Sequence, residues 1–392
     1  MSGSRLSQRL PRRGVCVAVA LGSLVAYLLL RWLEAPSMVD LATYRAEGAA
    51  IRHGHPLYAS IHAPGGLLAT YPPFAALVFV PLSFLSWTVT QLIGNAVDLA
   101  LVGVVAWLSC RFAGVDRARL VDGALLLAGA ALWCEPVFDT LSFGQVNLAV
   151  VALVLADFAR PPGARGRGVG IGLAAAIKVA PGIFVVYLLV TGRYRMARNA
   201  IVTFVVTVLL SGAVDFSDTK LYWTKLLFDT GRVGDIANGT NQTVQGAVAR
   251  LSRDDVTSRA GTVGAFVTLV LLLVGAALVY RRLGDRWGLT VAAVAGLLAS
   301  PISWSHHWVW CVPMLAVAAT QRSRAAVLAV GFWLWLPFAV SRRATDIRLF
   351  PTWELLWTNW YVVFGASWVV AAVVKARRVV ASPVPERLQL VA

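Results

Sequence analysis

Apolar runs close to the ~20 residues that cross a bilayer recur from one end of the chain to the other. The first is "VCVAVALGSLVAYLLL", inside 15–33. Further runs lie near 88–110, 119–134, 144–159, 168–178, 180–191, 197–214, 262–280, 288–300, 306–320, 325–341 and 357–376. The pattern predicts an all-α integral membrane protein, one membrane domain over 1–392, with about twelve membrane helices. The stretch "YPPFAALVFVPLSFLSW" (71–87) is also apolar, but it is short and carries Pro near both ends.

Composition supports this class. The chain is 58% hydrophobic and 14% charged, with a mean hydropathy of +0.71, whereas a soluble domain is about a quarter charged. Fifteen Trp suit interfacial belts and aromatic-lined cavities. Cys16, Cys110, Cys134 and Cys311 lie in or beside apolar segments without metal spacing, and read as small buried residues. The basic start followed by an apolar run has no clear cleavage site after it, so the first segment reads as an uncleaved anchor.

The net charge of +16 does not call for nucleic acid, because Lys and Arg gather on the cytoplasmic side of membrane proteins. The clusters are Arg5 to Arg13; Arg111, Arg117 and Arg119; Arg160, Arg165 and Arg167; Arg193, Arg195 and Arg198; Arg281, Arg282 and Arg286; Arg322 and Arg324; and Lys375, Arg377 and Arg378. Placing all of them inside makes 71–87 a juxtamembrane or re-entrant segment, since a crossing there would push Arg111 to Arg119 outside. It also makes 168–190, flanked by Arg on both sides, a hairpin of two short helices broken at Pro181-Gly182, with Lys178 at its tip. The expected protein is a multi-pass plasma (inner) membrane protein with both termini cytoplasmic: a basic terminus over 1–14 and a tail over 377–392. Loops 34–70, 215–261 and 342–356 then face outward, as do "WCEPVFDTLSFGQVN" and "SPISWSHHW". The chemistry is therefore expected on the extracytoplasmic face.

Each outward motif has a structural and a chemical reading. Asp40, Tyr44 and Glu47 share one face if "VDLATYRAEG" is helical. Asp40 can cap that helix, or act as a general base towards a sugar hydroxyl. Gln145 and Asn147 can glue helices together or hydrogen-bond sugar hydroxyls. Lys178, inside an apolar hairpin, either pairs with a carboxylate or holds a lipid-linked phosphate. In "NGTNQTVQG" (238–246), Asn241, Gln242 and Gln245 can line a substrate path. In "SPISWSHHWVW" (300–310), Trp304, Trp308 and Trp310 suit an interface, while His306 and His307 at a helix start suit an anion. A zinc site from His53, His55 and His62 fits no common ligand spacing. No Walker A, dinucleotide or HExxH motif is present, and Asp40 is not part of a D-x-D pair, so neither metal nor cofactor is expected.

These motifs also occur in a recognisable order. An acidic residue and a Tyr after the first span are followed by "G-x-P-L-Y", "TYPPFAAL", "GQVNL", "K-x-A-P", "NQTVQG" and "SPISWSHHW", from residue 40 to about 310. Together they resemble the actinobacterial polyprenyl-phosphate-mannose-dependent alpha-1,2-mannosyltransferases, glycosyltransferase family 87 with the GT-C fold. The resemblance implies a GT-C-type multispanning bundle whose outer-face cavity is built from the first extracytoplasmic loop. It implies a polyprenyl-phosphate-mannose donor, a lipid-anchored mannoside acceptor such as a phosphatidylinositol mannoside or lipomannan, and contact with membrane lipids. It makes Asp40 the catalytic position and Lys178, His306 and His307 the donor-phosphate contacts. Tyr44, Gln145, Asn147, Asn241, Gln242 and Trp304 become sugar or acceptor contacts. Another polyprenyl-phosphate sugar such as arabinose, or a lipid-linked-sugar flippase, remain the alternative readings.

Overall fold

The structure is a computed structural model that describes residues 10–59, 66–253, 259–321, 327, 329–335 and 353–381. His62, Arg322, Arg324, most of the expected 325–341 helix and of the 342–356 loop, and much of both termini lie outside the described residues. The described residues form helices α1 (Arg13–Glu34), α2 (Val39–His53), α3 (Pro73–Phe79), α4 (Trp87–Ala113), α5 (Leu120–Ala131) and α6 (Glu135–Phe143). There follow α7 (Asn147–Ala159), α8 (Val169–Ile177), α9 (Ile183–Val190), α10 (Tyr194–Val214), α11 (Phe216–Thr224) and α12 (Val244–Ser252). The last are α13 (Arg259–Leu283), α14 (Asp285–Ala299), α15 (Cys311–Gln321), α16 (Glu354–Thr358) and α17 (Trp360–Ala381).

Among the described residues, four helices are long and apolar enough to cross a membrane: α1, α4, α10 and α13. A fifth span arises if α5 and α6, bent by 75° at their junction, count as one. The bend has a local cause, because Pro136 sits in the first turn of α6 and suits a helix start rather than a helix interior. Other apolar runs of the sequence form shorter helices, among them α7 and α9. The long helices turn apolar side chains outward: Leu29 of α1, Leu209 of α10 and Leu271 of α13 are all more than half exposed. Such faces suit lipid, not water. Several apolar helices of this kind make the chain a membrane protein. The interior is a continuous apolar core in which Trp287 and Trp368 stack at 4.9 Å.

The hairpin expected at 168–190 is present. Gly168, at the start of α8, packs against Met196 and Ala200 near the start of α10, and Gly172 packs one turn further along, against Ala200 and Thr203. The chain rises through α8 and returns through α9 to the turn before α10. The helix breaks at Lys178, whose backbone is extended, just ahead of a 3-10 turn at Ala180–Gly182.

Segment 71–87 is helical, not merely broken. Pro73 opens α3 at a position where its missing N–H costs nothing, and a 3-10 turn continues it to Phe84. It lies along α2: Arg45 donates to the Leu85 carbonyl at 2.9 Å and Arg52 to the Ser83 carbonyl at 2.8 Å. Gly48 makes the approach possible, since a Cβ there would lie 2.4 Å from the Phe79 carbonyl oxygen. Gly48→Ala is expected to lower the melting temperature of the detergent-solubilised protein, at a cost of roughly 1–3 kcal/mol for overpacking. An unchanged melting curve would mean that α2 and α3 can separate freely.

Helices α1 and α14 place basic residues and the motifs expected to face outward at opposite ends. Arg13 and Arg119 meet Asp122 at the start of α1, whereas its far end leads into α2. Arg193 pairs with Asp285 at the first residue of α14. The far end of that helix, ~20 Å away at 1.5 Å per residue, opens into the motif 300–310.

Candidate active site

Most of the motifs expected to face outward contribute to one cavity of about 620 Å³. Its walls come from α2, the α6–α7 turn, the tip of the α8–α9 hairpin, the loop after α11 and the segment 300–310. Asp40, Tyr44, Gln145, Asn147, Lys178, Trp304, His306 and His307 all line it.

Asp40 is not the cap of α2. The cap is Met38, buried in a left-handed conformation at φ 47°, with no side-chain capping bond. Asp40 sits in the first helical turn, where the helix dipole favours its charge, and its carboxyl takes a hydrogen bond from the Gln145 side chain. Burial raises the Asp40 carboxyl to about 6, against the lowering effects of Gln145 and the nearby Lys178 charge. It therefore ionises close to neutral pH, which suits a general base.

Gln145 is placed by Gly144, which closes α6 with φ +69°. Only glycine fits there, since a Cβ would lie 2.7 Å from that of Leu41. The Gln145 carbonyl accepts from the Tyr71 hydroxyl at 3.0 Å, leaving its amide nitrogen for Asp40. Tyr44 donates to the Tyr71 hydroxyl at 3.2 Å, and its ring is sandwiched between Tyr71 and Phe79. Tyr71 thus orders this wall of the cavity. Its neighbours Pro72 and Pro73 draw attention to a helix break instead, so sequence reasoning passed over it.

Lys178 has no carboxylate partner among the described residues. Its ammonium donates to Asn147 Oδ1 at 2.7 Å and lies 3.0 Å from His307 Nε2. It also sits 5.3 Å from the centre of the Tyr71 ring. His307 Nε2 accepts only if the ring proton is on Nδ1, a tautomer inferred from this network. An ammonium has three donors. Two are used here, and the third is free for a ligand. Asn147 also donates to the His306 carbonyl at 3.0 Å, which ties α7 to the 300–310 segment.

The two histidines differ. They do not start an α-helix, as the sequence suggested, but lie in a 3-10 turn over Ser305–Trp310 that precedes α15. His307 faces Lys178. His306 is buried with its ring edge against Phe143 at 5.3 Å, and its Nε2 has no partner among the described residues.

Asn241 and Gln242 stand apart from the cavity. Both are fully buried. Asn241 donates to the Ile236 carbonyl and accepts from the Ser303 N–H at 2.9 Å. Gln242 donates to the Gly239 and Thr358 carbonyls and accepts from the Tyr361 N–H at 3.0 Å. Their amides knit the 238–246 loop to the 300–310 segment, where Trp304 forms an isolated antiparallel bridge with Asn241, and to α17. Two further lining side chains lay outside the sequence motifs: Arg232, which donates to the Tyr58 carbonyl at 3.1 Å, and Tyr222 of α11.

Residues 69–301 match glycosyltransferase family 87. The chain belongs to that family. The match takes in the Tyr71 wall, the Gly144–Asn147 turn and the Lys178 tip. A curated relative from Mycobacterium tuberculosis, a polyprenol-phosphate-mannose-dependent alpha-(1-2)-phosphatidylinositol mannoside mannosyltransferase, is 33% identical over 95% of this chain and 92% of its own length. A polyprenol-phosphate-mannose-dependent alpha-(1-2)-phosphatidylinositol pentamannoside mannosyltransferase from Mycolicibacterium smegmatis is 34% identical over 79% of this chain and 76% of its own. Among solved structures, ArnT from Cupriavidus metallidurans bound to undecaprenyl phosphate aligns with a TM-score of 0.42 and 15% identity, covering 92% of this chain and 78% of that one.

Proposed function

We propose that this family 87 protein transfers mannose from polyprenyl-phosphate-mannose to a hydroxyl of a lipid-linked mannoside, such as a phosphatidylinositol mannoside, forming an alpha-1,2 bond. The observation that carries the chemistry is one cavity holding a carboxyl on α2 and an ammonium at the hairpin tip. The names of the relatives support the donor and the acceptor class. On this reading the chain is a GT-C-type bundle with about twelve membrane-embedded segments, in the plasma membrane. The cavity opens on the extracytoplasmic face and both termini are cytoplasmic. The separation of the basic clusters from the cavity supports that orientation.

In the proposed step the acceptor oxygen attacks the anomeric carbon as Asp40 takes its proton. The new glycosidic bond forms, the bond from sugar to phosphate breaks, and the electron pair leaves with the polyprenyl phosphate. Lys178 meets the growing phosphate charge with its free N–H, held in place by Asn147 and His307. A beta-linked donor would give an alpha product in a single inverting displacement.

Purified protein in vesicles, given labelled polyprenyl-phosphate-mannose and a phosphatidylinositol mannoside, is expected to place label in a longer glycolipid. Label that only changes leaflet would replace transfer by flipping. Transfer of arabinose in preference to mannose would change the donor.

A further inference from the structure

The transfer step leaves two buried acids of the cavity unused, Asp139 and Glu47. Glu47 is 2% exposed and lines the cavity. Its Oε2 has no hydrogen-bond partner among the described residues. An unpaired buried carboxyl is costly, so its place in a cavity wall points to a ligand that completes it.

Glu47 follows Asp40 by two helical turns, ~10 Å along α2. Lys178 acts on the Asp40 carboxyl, whereas the charge that acts on Glu47 is that of Asp40. Glu47 is therefore further than Asp40 from the expected donor phosphate. The wall beyond it includes Tyr222, an aromatic ring stacked on Tyr58 at 5.6 Å, and Arg232. An aromatic ring beside a hydrogen-bonding acid suits a sugar ring. We propose that Glu47 hydrogen-bonds a hydroxyl of the acceptor's second sugar ring, so that the enzyme selects acceptors with more than one sugar. The assignment rests on the transfer reading above.

The titratable groups that face Glu47 are Asp40 and Tyr44 from its own helix, Tyr58 and Tyr71 from the segment that follows, and Tyr222 from α11. Burial, and then the negative charge of Asp40, raise the Glu47 carboxyl to about 8. Below that pH it carries a proton and donates; as the pH rises through that value the donor is lost.

The test compares octyl mannoside with octyl dimannoside as acceptors for labelled donor. Glu47→Ala is expected to raise KM for octyl dimannoside about tenfold, the size of one lost buried hydrogen bond, with the donor KM unmoved. Glu47→Gln, which keeps an N–H donor, is expected to bring that KM back and to abolish its rise above about pH 8. An unchanged dimannoside KM in Glu47→Ala overturns the proposal, as does an equal rise for both acceptors. So does a fall in kcat in Glu47→Gln, which would make Glu47 a proton carrier for Asp40, or an alkaline limb that survives in that variant. Absence of product from the unmodified enzyme with either acceptor would instead sink the transfer reading itself.

Discussion

Asp40→Asn is expected to cut kcat by about 10²–10⁴-fold, the usual contribution of a positioned general base, and to leave the fold intact. Asn keeps the size of the side chain and can still hydrogen-bond Gln145, but it cannot take a proton. The expected pH profile follows from the sign of the shift. The Asp40 carboxyl is raised from its usual value to about 6, so the base is ionised above that pH and activity falls as the pH drops through it. In Asp40→Asn that acidic limb should vanish along with the rate. Stability should move the other way. A carboxyl raised by burial favours the folded state when protonated and loses that contribution as the pH rises through about 6. A neutral Asn avoids this cost, so at neutral pH the variant should melt at or above the temperature of the parent. A variant that loses activity and stability together would mark Asp40 as structural. One that turns over at near the parent rate would move the base elsewhere.

The parts legible in the sequence were those governed by long-range composition. Helices α1, α4, α10 and α13 follow from apolar length alone. The α8–α9 hairpin followed from Arg clusters at both ends and the Pro181-Gly182 break, and Lys178 lies at its tip as expected. What resisted reading depends on partners that the local sequence does not name. Helices α6, α11 and α12 are each nine residues long, too short for their periodicity to stand out. Tyr71 gains its role only when α2, α3 and the α6–α7 turn are brought together. Asn241 and Gln242 look like sugar-binding amides in a polar loop, yet the backbone groups of Ile236, Ser303, Thr358 and Tyr361 use them up. For Asp40 the local sequence allowed a helix cap beside the general base, because caps are common before such a run. The left-handed Met38 shows that the helix starts two residues earlier than a cap at Asp40 would need.

Lys178→Ala is expected to lower kcat/KM for the lipid donor by roughly 10²–10³-fold, the cost of removing one preorganised donor from a developing oxyanion. The geometry makes the prediction specific. Asn147 and His307 use two of the three ammonium donors, and neither carries a negative charge that would satisfy the cation. A lysine kept for structure would instead be paired with a carboxylate, and breaking such a buried pair would destabilise the fold by about 3–5 kcal/mol. The two roles therefore separate in measurement. If Lys178 meets phosphate, Lys178→Ala should fold normally, raise the donor KM, slow the chemical step and leave the acceptor KM alone. Lys178→Met, which fills the space without the charge, should be as impaired. If both variants kept the parental donor kinetics but melted early, Lys178 would be a structural residue, and the leaving phosphate would need another partner, with Arg232 the remaining cation among the described lining residues.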